Sequence, residues 1–183
     1  MSLKTYILQN SSTKKQRQAD IQKSVREFLK NPKAKVVYDD NGRPSVENVE
    51  KKVNISITTC GSVMLLVIFE KAIGIDGEYL PRITAPENKI DYMLLAERFF
   101  SYDEVEYIRD GARDAEAENF ANIWVRKEAY VKAAGKTVAD FPSFSVVDGS
   151  HFVKKIHGIS IKKFQIKVPD FENYTFAIAG NID

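Results

Sequence analysis

Residues 124–136, WVRKEAYVKAAGK, place charged side chains on the face of a helix that should be apolar. At about 100° per residue from Phe120, the aromatic and aliphatic positions of this segment fall on one face. Lys127 falls near the centre of that face, and Glu128 and Lys132 fall together at its edge. A helix that packs on a core normally carries its charges on the opposite side. These three residues therefore either satisfy one another as a structural ion cluster or hold a charged ligand.

A second group of charges occurs in GIDGE, residues 74–78, at the predicted end of a strand. Asp76 and Glu78 are two residues apart, so their side chains point the same way in an extended chain. Adjacent carboxylates repel each other, and a divalent cation such as Mg²⁺, which prefers oxygen ligands, relieves that repulsion. An exposed acidic turn is the alternative, because Asp-Gly is a turn dipeptide.

Glu128 is a candidate for a third carboxylate at the same place. The simpler interpretation of Glu128 and Lys132 is an i,i+4 ion pair on a helix surface, worth about 0.2–0.5 kcal/mol. That pair leaves Lys127 unexplained among its apolar neighbours. A bound polyphosphate accounts for all three residues, because a metal would bridge its oxygens and the lysines would neutralise the remaining charge.

The composition is that of an ordinary soluble globular chain, with 183 residues, 44% of them hydrophobic and 28% charged. This length suits one domain or two small, similar halves around a shared core. The net charge of +2 gives no general bias toward nucleic acid or membrane. The single cysteine, Cys60, excludes an intrachain disulfide and favours a reducing compartment. The longest apolar run, at 63–69, is too short to span a bilayer, and the N-terminus lacks a signal-peptide core, so we expect a cytoplasmic protein.

Hydrophobic periodicity and turn residues predict a mixture of strands and helices. The predicted strands are 3–10, 33–40, 53–59, 61–69, 72–76, 141–147, 159–168 and 174–182. The predicted helices are 11–31, 90–100 and 114–134, and the segment 80–89 is predicted as a loop. The strands 53–59, 61–69 and 72–76 should form a meander whose central strand is well buried.

Local signals also predict where the helices begin and end. Ser11 or Ser12 is the expected cap of the first helix. SYDE at 101–104 has the form of a capping box. Gly135 is the natural end of the helix 114–134.

The order of strand, helix and strands occurs loosely twice along the chain. This favours an α+β protein of two pseudo-symmetric halves, each a helix packed on a small, mostly antiparallel sheet. The N-terminal half is residues 1–80 and ends in GIDGE. The C-terminal half is residues 81–183 and contains the signature helix 114–134 and the closing strands. The two halves should form one compact unit.

Taken together, these stretches resemble the 4′-phosphopantetheinyl transferases. The family patterns are Gly-Ile-Asp-x-Glu, Arg-Phe-Phe-Ser-x-x-Glu and Trp-x-x-Lys-Glu-Ala-x-x-Lys-x-x-Gly. This chain has GIDGE at 74–78, RFFSYDE at 98–104 and WVRKEAYVKAAG at 124–135, in the same order and spacing. GRP, NISIT and FPSFSV, at 42–44, 54–58 and 141–146, resemble further family segments. The chain looks like the larger, pseudodimeric, surfactin-synthetase-activating type, which holds its cofactor between two halves.

The resemblance implies transfer of 4′-phosphopantetheine from coenzyme A to a serine of an apo acyl or peptidyl carrier protein, with release of 3′,5′-ADP. It implies that Asp76, Glu78 and Glu128 hold Mg²⁺ against the diphosphate. Lys132 would contact the phosphates and stabilise the departing charge. Glu128 and Lys132 would thus be catalytic, and Glu104, or a metal-bound water, would take the serine proton.

The resemblance also implies the contacts to coenzyme A and the carrier protein. The residues that it places on coenzyme A are Arg43, Ser56, Thr58, Asp76, Lys127 and Lys132. Lys127 would orient Glu128 or contact a phosphate, and Arg43 would lie near the adenine or its phosphate. Residues 79–95 would carry part of the carrier-protein surface. The protein would act as a monomer, with neither nucleic acid nor membrane as a partner.

The chain departs from the family pattern at two positions. Ile57 stands where the family usually has a histidine that contacts a phosphate, and isoleucine cannot donate a hydrogen bond. Gly77 stands where the family favours an apolar, often β-branched residue, so the strand that carries the metal ligands would be looser.

Two alternative functions follow from the same residues. One is a degenerate family member that binds coenzyme A or a carrier protein without catalysis. The other is a nucleic-acid binder that uses the basic residues of the first helix. Those charges are spread around the helix, which favours a solvated face over a binding surface.

Overall fold

A computed structural model describes residues 2–10, 13–85, 90–111, 115–167 and 171–182. The strands are β1 (Lys4–Gln9), β2 (Lys35–Tyr38), β3 (Pro44–Glu47), β4 (Asn54–Cys60), β5 (Val63–Phe69), β6 (Ile73–Tyr79), β7 (Val147–Asp148), β8 (His151–Phe152), β9 (Lys155–Ile156), β10 (Ile159–Lys163) and β11 (Tyr174–Gly180). The α-helices are α1 (Lys14–Leu29), α2 (Pro81–Thr84), α3 (Tyr92–Phe99), α4 (Tyr102–Arg109) and α5 (Glu116–Ala134). Short 3₁₀ helices cover Val138–Ser143 and Phe171–Asn173.

Two antiparallel sheets form the centre of the protein. The first has the strand order β1-β5-β4, and the second has the order β6-β11-β10-β9. Strand β5 is buried along its whole length, because alternate side chains along a strand face opposite layers. On one side of β5, Met64, Leu66 and Ile68 pack in a cluster with Ile21 and Val25 of α1.

The opposite side of β5 packs on the second sheet. Leu65 and Val67 share a core cluster with Ile75 of β6 and with other residues of the second sheet. On the far side of that sheet, Ala177 and Ala179 of β11 belong to the cluster that contains the buried face of α5. The layers therefore follow the order α1, first sheet, second sheet, α5.

The predicted meander is correct for its first two strands and wrong for its third. Strands β4 and β5 form a hairpin that is paired throughout. The other edge of β5 is taken by β1, which pairs with it along its whole length. Strand β6 therefore crosses to the second sheet and pairs with β11 from Ile73 to Tyr79. The buried central strand of the prediction, β5, is confirmed.

Strand β6 approaches α5 very closely at Gly74. A Cβ at this position would lie 2.0 Å from the carbonyl oxygen of Ala129 and 2.7 Å from the amide nitrogen of Ala133. No side chain fits in that space, so glycine permits this contact between strand and helix. Since side chains two residues apart share a face of the strand, Asp76 and Glu78 also point toward the layer of α5.

The ends of the later helices follow the local signals. The Ser101 side chain accepts a hydrogen bond from the Glu104 N–H, and the Glu104 side chain accepts one from the Ser101 N–H, so the predicted capping box is confirmed. Gly135, with φ of 70°, ends α5 as predicted. Asp114, the predicted start of that helix, lies outside the described residues.

The first helix is capped by Thr13, whose hydroxyl accepts a hydrogen bond from the N–H of Gln16. Ser11 and Ser12, the predicted caps, lie outside the described residues. Helix α1 ends at Leu29, two residues before the predicted stop, because Lys30 adopts the left-handed conformation.

Several segments differ from the sequence prediction, among them β8 and β9, which were not predicted, and β10, which ends at Lys163. The predicted strand 141–147 lies mostly in and after the 3₁₀ helix that begins at Val138. A capping box between Thr137 and Asp140 starts this helix, and Pro142 lacks the N–H that a strand ladder needs. Strand β3 was not predicted and pairs with β2. Helix α2 forms within the predicted loop 80–89, of which 86–89 lie outside the described residues.

The fold class is α+β with small antiparallel sheets, as predicted. The pseudo-twofold relation between residues 1–80 and 81–183 stays a prediction. None of the helices in the described ranges has the length and apolar character needed to cross a membrane.

Candidate active site

A cleft of about 990 Å³ lies between the first sheet with α1 and the C-terminal part of α5. Apolar side chains form much of one wall, namely Ile21, Val46, Val53, Ile55, Ile57 and Met64. Basic side chains also line it, namely Lys14, Arg17, Arg43, Lys52, Lys132 and Lys136. A cleft of this size with both apolar and cationic walls suits an organic anion of cofactor size.

Lys132 and Asp76 form an ion pair between α5 and β6. The Nζ of Lys132 lies 2.7 Å from Oδ1 of Asp76, and it also donates to the carbonyl oxygens of Ile75 at 3.2 Å and Ile57 at 3.5 Å. Asp76 is buried, and this burial raises the pKa of its carboxyl although Lys132 acts in the opposite direction. Within the described residues Lys132 makes no ion pair with Glu128, so the i,i+4 interpretation is not supported.

Two hydroxyl groups of β4 fix β6 beneath this ion pair. The Thr58 hydroxyl donates to Oδ1 of Asp76 at 3.0 Å and accepts from the N–H of Gly77 at 3.2 Å. The Ser56 hydroxyl accepts from the N–H of Ile75 at 3.0 Å. Both side chains are buried, although Ser56 also lines the cleft. The structure therefore places Thr58, predicted to contact the nucleotide, as a support for Asp76.

Glu128 lines the same cleft as Lys132 and is half-buried. Burial raises the pKa of its carboxyl, the negative charge of Asp76 raises it further, and Lys132 lowers it. Among the described residues no hydrogen bond or ion pair engages this carboxylate. A carboxylate with a raised pKa in a cleft is typical of a functional group.

Glu78, the third predicted metal ligand, is held by Arg82 of α2. The guanidinium donates from Nε to Oε1 at 2.8 Å and from Nη2 to Oε2 at 2.6 Å. The N–H of Tyr79 also donates to Oε1, at 3.0 Å. The prediction from sequence missed Arg82, because Glu78 lies on a strand and Arg82 on the next helix, so their spacing gives no periodic signal.

The three predicted metal ligands therefore do not form a ready-made site. Across the part of the chain that the structure describes, no three acidic, histidine or cysteine side chains are placed to hold one ion. The donor type nevertheless suits a hard cation such as Mg²⁺. Asp76 and Glu128 are close enough for the charge of one to raise the pKa of the other. The binding of a cation by these residues stays a prediction, and Glu78 is at present engaged by Arg82.

Lys127 and Glu104 form an ion pair in the core, where both side chains are 0% exposed. The Nζ of Lys127 lies 2.6 Å from Oε2 and 2.8 Å from Oε1 of Glu104, and it donates to the carbonyl oxygen of Phe144 at 2.7 Å. Glu104 also accepts from the N–H groups of Ser101 and Val146. Burial lowers the pKa of Lys127, and Glu104 opposes that shift.

This geometry corrects two expectations. Glu104 cannot reach a serine proton, and Lys127 cannot reach a phosphate or Glu128, because each side chain is enclosed and fully engaged. Of the two alternatives for the charged face of α5, the structural ion pair therefore applies to Lys127. The possibility of a charged ligand remains for Glu128 and Lys132.

Arg43 extends from the turn between β2 and β3 to the end of α5. Its guanidinium donates to the carbonyl oxygen of Gly135 at 2.8 Å and to that of Lys136. Both carbonyls directly follow Ala134, the last residue of α5. Arg43 thus caps α5 and forms one end of the cleft, where its predicted contact with the nucleotide stays a prediction.

Several basic residues of the cleft were not assigned to it from the sequence. Lys14 and Arg17, three residues apart at the start of α1, were considered only as part of a basic helix surface, and Lys52 and Lys136 were not considered. The spacing of Lys14 and Arg17 does place them on one side of a helix. Which side faces the cleft depends on how α1 packs on the first sheet, and the local sequence does not contain that information.

Gly77 is compensated by the neighbouring strand. A Cβ at Gly77 would lie 2.3 Å from Cδ1 of Phe176, so the Phe176 ring on β11 occupies the space of the expected larger residue. Phe176 is fully buried and stacks on Tyr174 with ring centroids 5.7 Å apart. The expected loosening of β6 is therefore not supported.

Carboxylates and a lysine beside a cleft lined by basic side chains suit a ligand that carries phosphate groups. Residues 72–179 match the 4′-phosphopantetheinyl transferase superfamily, and the chain belongs to that superfamily. The matched region contains the helix α5, the strand β6 and the charged residues on both.

Curated relatives share this region. Over 117 residues the chain is 24% identical to the 4′-phosphopantetheinyl transferase psf-1 of Bacillus pumilus, covering 63% of this chain and 46% of that protein. It is 28% identical over 118 residues to the 4′-phosphopantetheinyl transferase gsp of Aneurinibacillus migulanus, covering 63% and 45%. It is 30% identical over 112 residues to the 4′-phosphopantetheinyl transferase HetI of Nostoc sp., covering 60% and 45%. The match thus spans just under half the length of these relatives.

Proposed function

We propose that this protein transfers 4′-phosphopantetheine from coenzyme A to a serine of an apo acyl or peptidyl carrier protein and releases 3′,5′-ADP. Membership of the superfamily supports the reaction class. The observation that carries the proposal is the arrangement of Lys132, Asp76 and Glu128 at a cleft lined by basic and apolar side chains.

The transfer is a phosphoryl substitution. The serine Oγ bonds to the phosphorus that carries pantetheine, the bond from that phosphorus to the bridging oxygen breaks, and 3′,5′-ADP leaves with the electron pair. Lys132 supplies positive charge to the phosphates, on which negative charge increases in the transition state. To do so its ammonium must exchange at least one of the acceptors on β6 for a phosphate oxygen.

Glu128 is the carboxylate best placed to accept the serine proton. It lines the cleft beside Lys132, and no hydrogen bond within the described residues engages its carboxylate, so an oxygen is available to accept the proton. Glu104, the earlier candidate, is enclosed by Lys127, Ser101 and Val146.

We propose Mg²⁺ as the cation of the reaction, held by Asp76 and Glu128. Its contribution would be to neutralise the diphosphate of coenzyme A. Thr58 helps to keep Asp76 in position for this role, because its hydroxyl donates to the same carboxylate oxygen that Lys132 contacts.

Coenzyme A would occupy the cleft between α1 and the end of α5. Arg43, Ser56 and Lys132 line it from different elements, and Lys14 and Lys136 add positive charge for the phosphates. Ile57 contributes only apolar surface and a backbone carbonyl there, so the phosphate contacts must come from these cations.

The carrier protein would bind beside residues 79–95. The described part of this segment includes α2 and the start of α3, and Leu94 on α3 is 61% exposed. Tyr102, at the start of the next helix, is 76% exposed. Exposed apolar and aromatic side chains of this kind favour contact with a partner protein. We further propose that the enzyme acts as a monomer in the cytoplasm.

The reaction is tested by incubating the protein with coenzyme A, Mg²⁺ and an apo carrier protein and measuring the mass of the carrier. We expect the mass to rise by one phosphopantetheine, and Lys132→Ala to prevent this. Binding of coenzyme A without any change in carrier mass, across several carrier proteins, would instead support the degenerate, non-catalytic alternative. The matched control is Lys23→Ala, because Lys23 is an exposed cation that pairs with Glu27 on α1, and neither residue lines the cleft.

A further inference from the structure

Protein donors take most of the acceptor positions of the Glu78 carboxylate. Both of its oxygens accept from the Arg82 guanidinium, and Oε1 also accepts from the N–H of Tyr79. A paired, bidentate contact of this kind is the strongest common form of a carboxylate–guanidinium interaction. While Arg82 remains in place, only one position on Oε2 is open to a cation, and the positive charge of the guanidinium opposes binding there.

The two partners differ in how freely they can move. The Glu78 side chain is 8% exposed and lies on the paired strand β6, one residue from its end, whereas the Arg82 side chain is 59% exposed on the four-residue helix α2. If the pair separates, Arg82 can be hydrated where it is, whereas Glu78 needs another positive partner. Asp76, two residues away on the same face of β6, makes that need greater because its charge repels Glu78.

We propose that Arg82 is a positioning residue that competes with the cation. Its guanidinium binds the Glu78 carboxylate in the cation-free protein, and a cation must compete with the guanidinium for that carboxylate. This rests on the proposed function, in which a divalent cation binds beside Asp76 and Glu128. In the cation-free protein Arg82 holds the Glu78 carboxylate in place at the edge of the site. When the cation binds, Glu78 turns from Arg82 to the cation, and Arg82 becomes free to move with α2.

The competition makes a specific prediction for cation affinity. In Arg82→Gln the Glu78 carboxylate no longer has to leave a guanidinium, so Mn²⁺, used as the probe, should bind more tightly. The expected gain in affinity is roughly fivefold, which corresponds to the free energy of a partly exposed ion pair. Arg82→Lys, which keeps the charge but not the bidentate geometry, should restore part of the lower affinity. Glu78→Gln should weaken binding, and the double variant should show no gain over Glu78→Gln alone.

The experiment is titration of the full chain with Mn²⁺, with and without coenzyme A, followed by calorimetry and by the paramagnetic signal of free Mn²⁺. Arg109→Gln is the control for loss of a surface cation, because its partners Glu97 and Glu106 lie away from the cleft. Thermal unfolding without metal shows whether each variant is folded. If Arg82→Gln does not fold, the comparison is made with Arg82→Lys instead.

The outcomes separate this inference from the proposed function. If the wild type binds Mn²⁺ and Arg82→Gln binds it equally or more weakly, Arg82 only supports the fold and the competition is refuted, while the cation site of Asp76 and Glu128 survives. If the wild type and all variants fail to bind Mn²⁺ even with coenzyme A, both the competition and the metal dependence of the proposed function are refuted.

Discussion

Replacing Lys127 by methionine should destabilise the protein strongly. Methionine has a similar length but no charge, so it leaves Glu104 ionised, or forces it to take up a proton, at a position with 0% exposure. Removing one partner of a buried ion pair typically costs about 3–5 kcal/mol. For a chain of this size, about 2–4 °C of melting temperature correspond to each kcal/mol, so we expect a decrease of roughly 6–20 °C.

A second substitution should recover much of that loss. Glu104→Gln removes the unpaired charge but keeps an oxygen that can accept from the N–H of Ser101 or Val146, the present backbone donors. The double variant Lys127→Met/Glu104→Gln should therefore melt closer to the wild type than Lys127→Met does. Arg109→Met is the matched control, because its half-exposed ion pairs are worth at most about 1 kcal/mol.

Differential scanning calorimetry measures these changes, and the carrier-mass assay measures transfer in the same samples below their melting temperatures. We expect the double variant to transfer phosphopantetheine, since neither residue reaches the cleft. The reasoning fails if Lys127→Met melts within about 2 °C of the wild type. It also fails if the stable double variant is inactive, which would return Glu104 to the role of the catalytic base.

Three further substitutions separate the contributions to stability and to transfer. Burial raises the folded-state pKa of Asp76 above its unfolded value, so its ionisation costs stability as the pH rises between those two values. In urea unfolding, Asp76→Asn should be at least as stable as the wild type at pH 8, and its advantage should be smaller at pH 4. The carrier-mass assay should find Asp76→Asn inactive. Lys132→Ala should lower the rate of transfer about a hundredfold, and calorimetry should show a loss of about 1–3 kcal/mol because Asp76 loses its counter-charge. Gly74→Ala would place a Cβ 2.0 Å from a carbonyl oxygen of α5 and should prevent recovery of soluble protein, whereas Gly149→Ala, which meets no atom within 4 Å, should cost only about 1–2 kcal/mol.

The features that could be predicted from sequence are those with local signals. The capping box of Ser101 and Glu104, the end of α5 at Gly135 and the buried strand β5 each depend on residues a few positions apart. The features that could not be predicted depend on contacts between distant residues. The transfer of β6 to the second sheet requires β1 to occupy the edge of β5, and β1 lies more than fifty residues earlier in the chain.

The same distinction applies to the candidate site. Asp76, Glu128 and Lys132 were found because their types and spacing are unusual on a strand and on a helix face. The ion pair between Asp76 and Lys132 was not predicted, because the two residues are 56 positions apart. Other positive charges among the described residues lie closer to Asp76 in the sequence but do not contact it. The spacing of Glu78 and Arg82 was visible but has no distinctive meaning until the strand and the helix α2 are placed.

The two lysines of α5 show why burial, rather than residue type, decides the role of a charged group here. Lys127 and Lys132 are five residues apart, which at about 100° per residue turns them roughly 140° from each other around the helix. Lys127 consequently points between α4 and residue 144, where Glu104 and a carbonyl oxygen enclose it. Lys132 points along β6 to the cleft and keeps 30% of its side chain exposed. A charge that is completely enclosed by its partners can stabilise only the fold. A charge that remains partly exposed at a cleft can exchange a protein partner for a ligand, and this is what phosphate binding requires of Lys132.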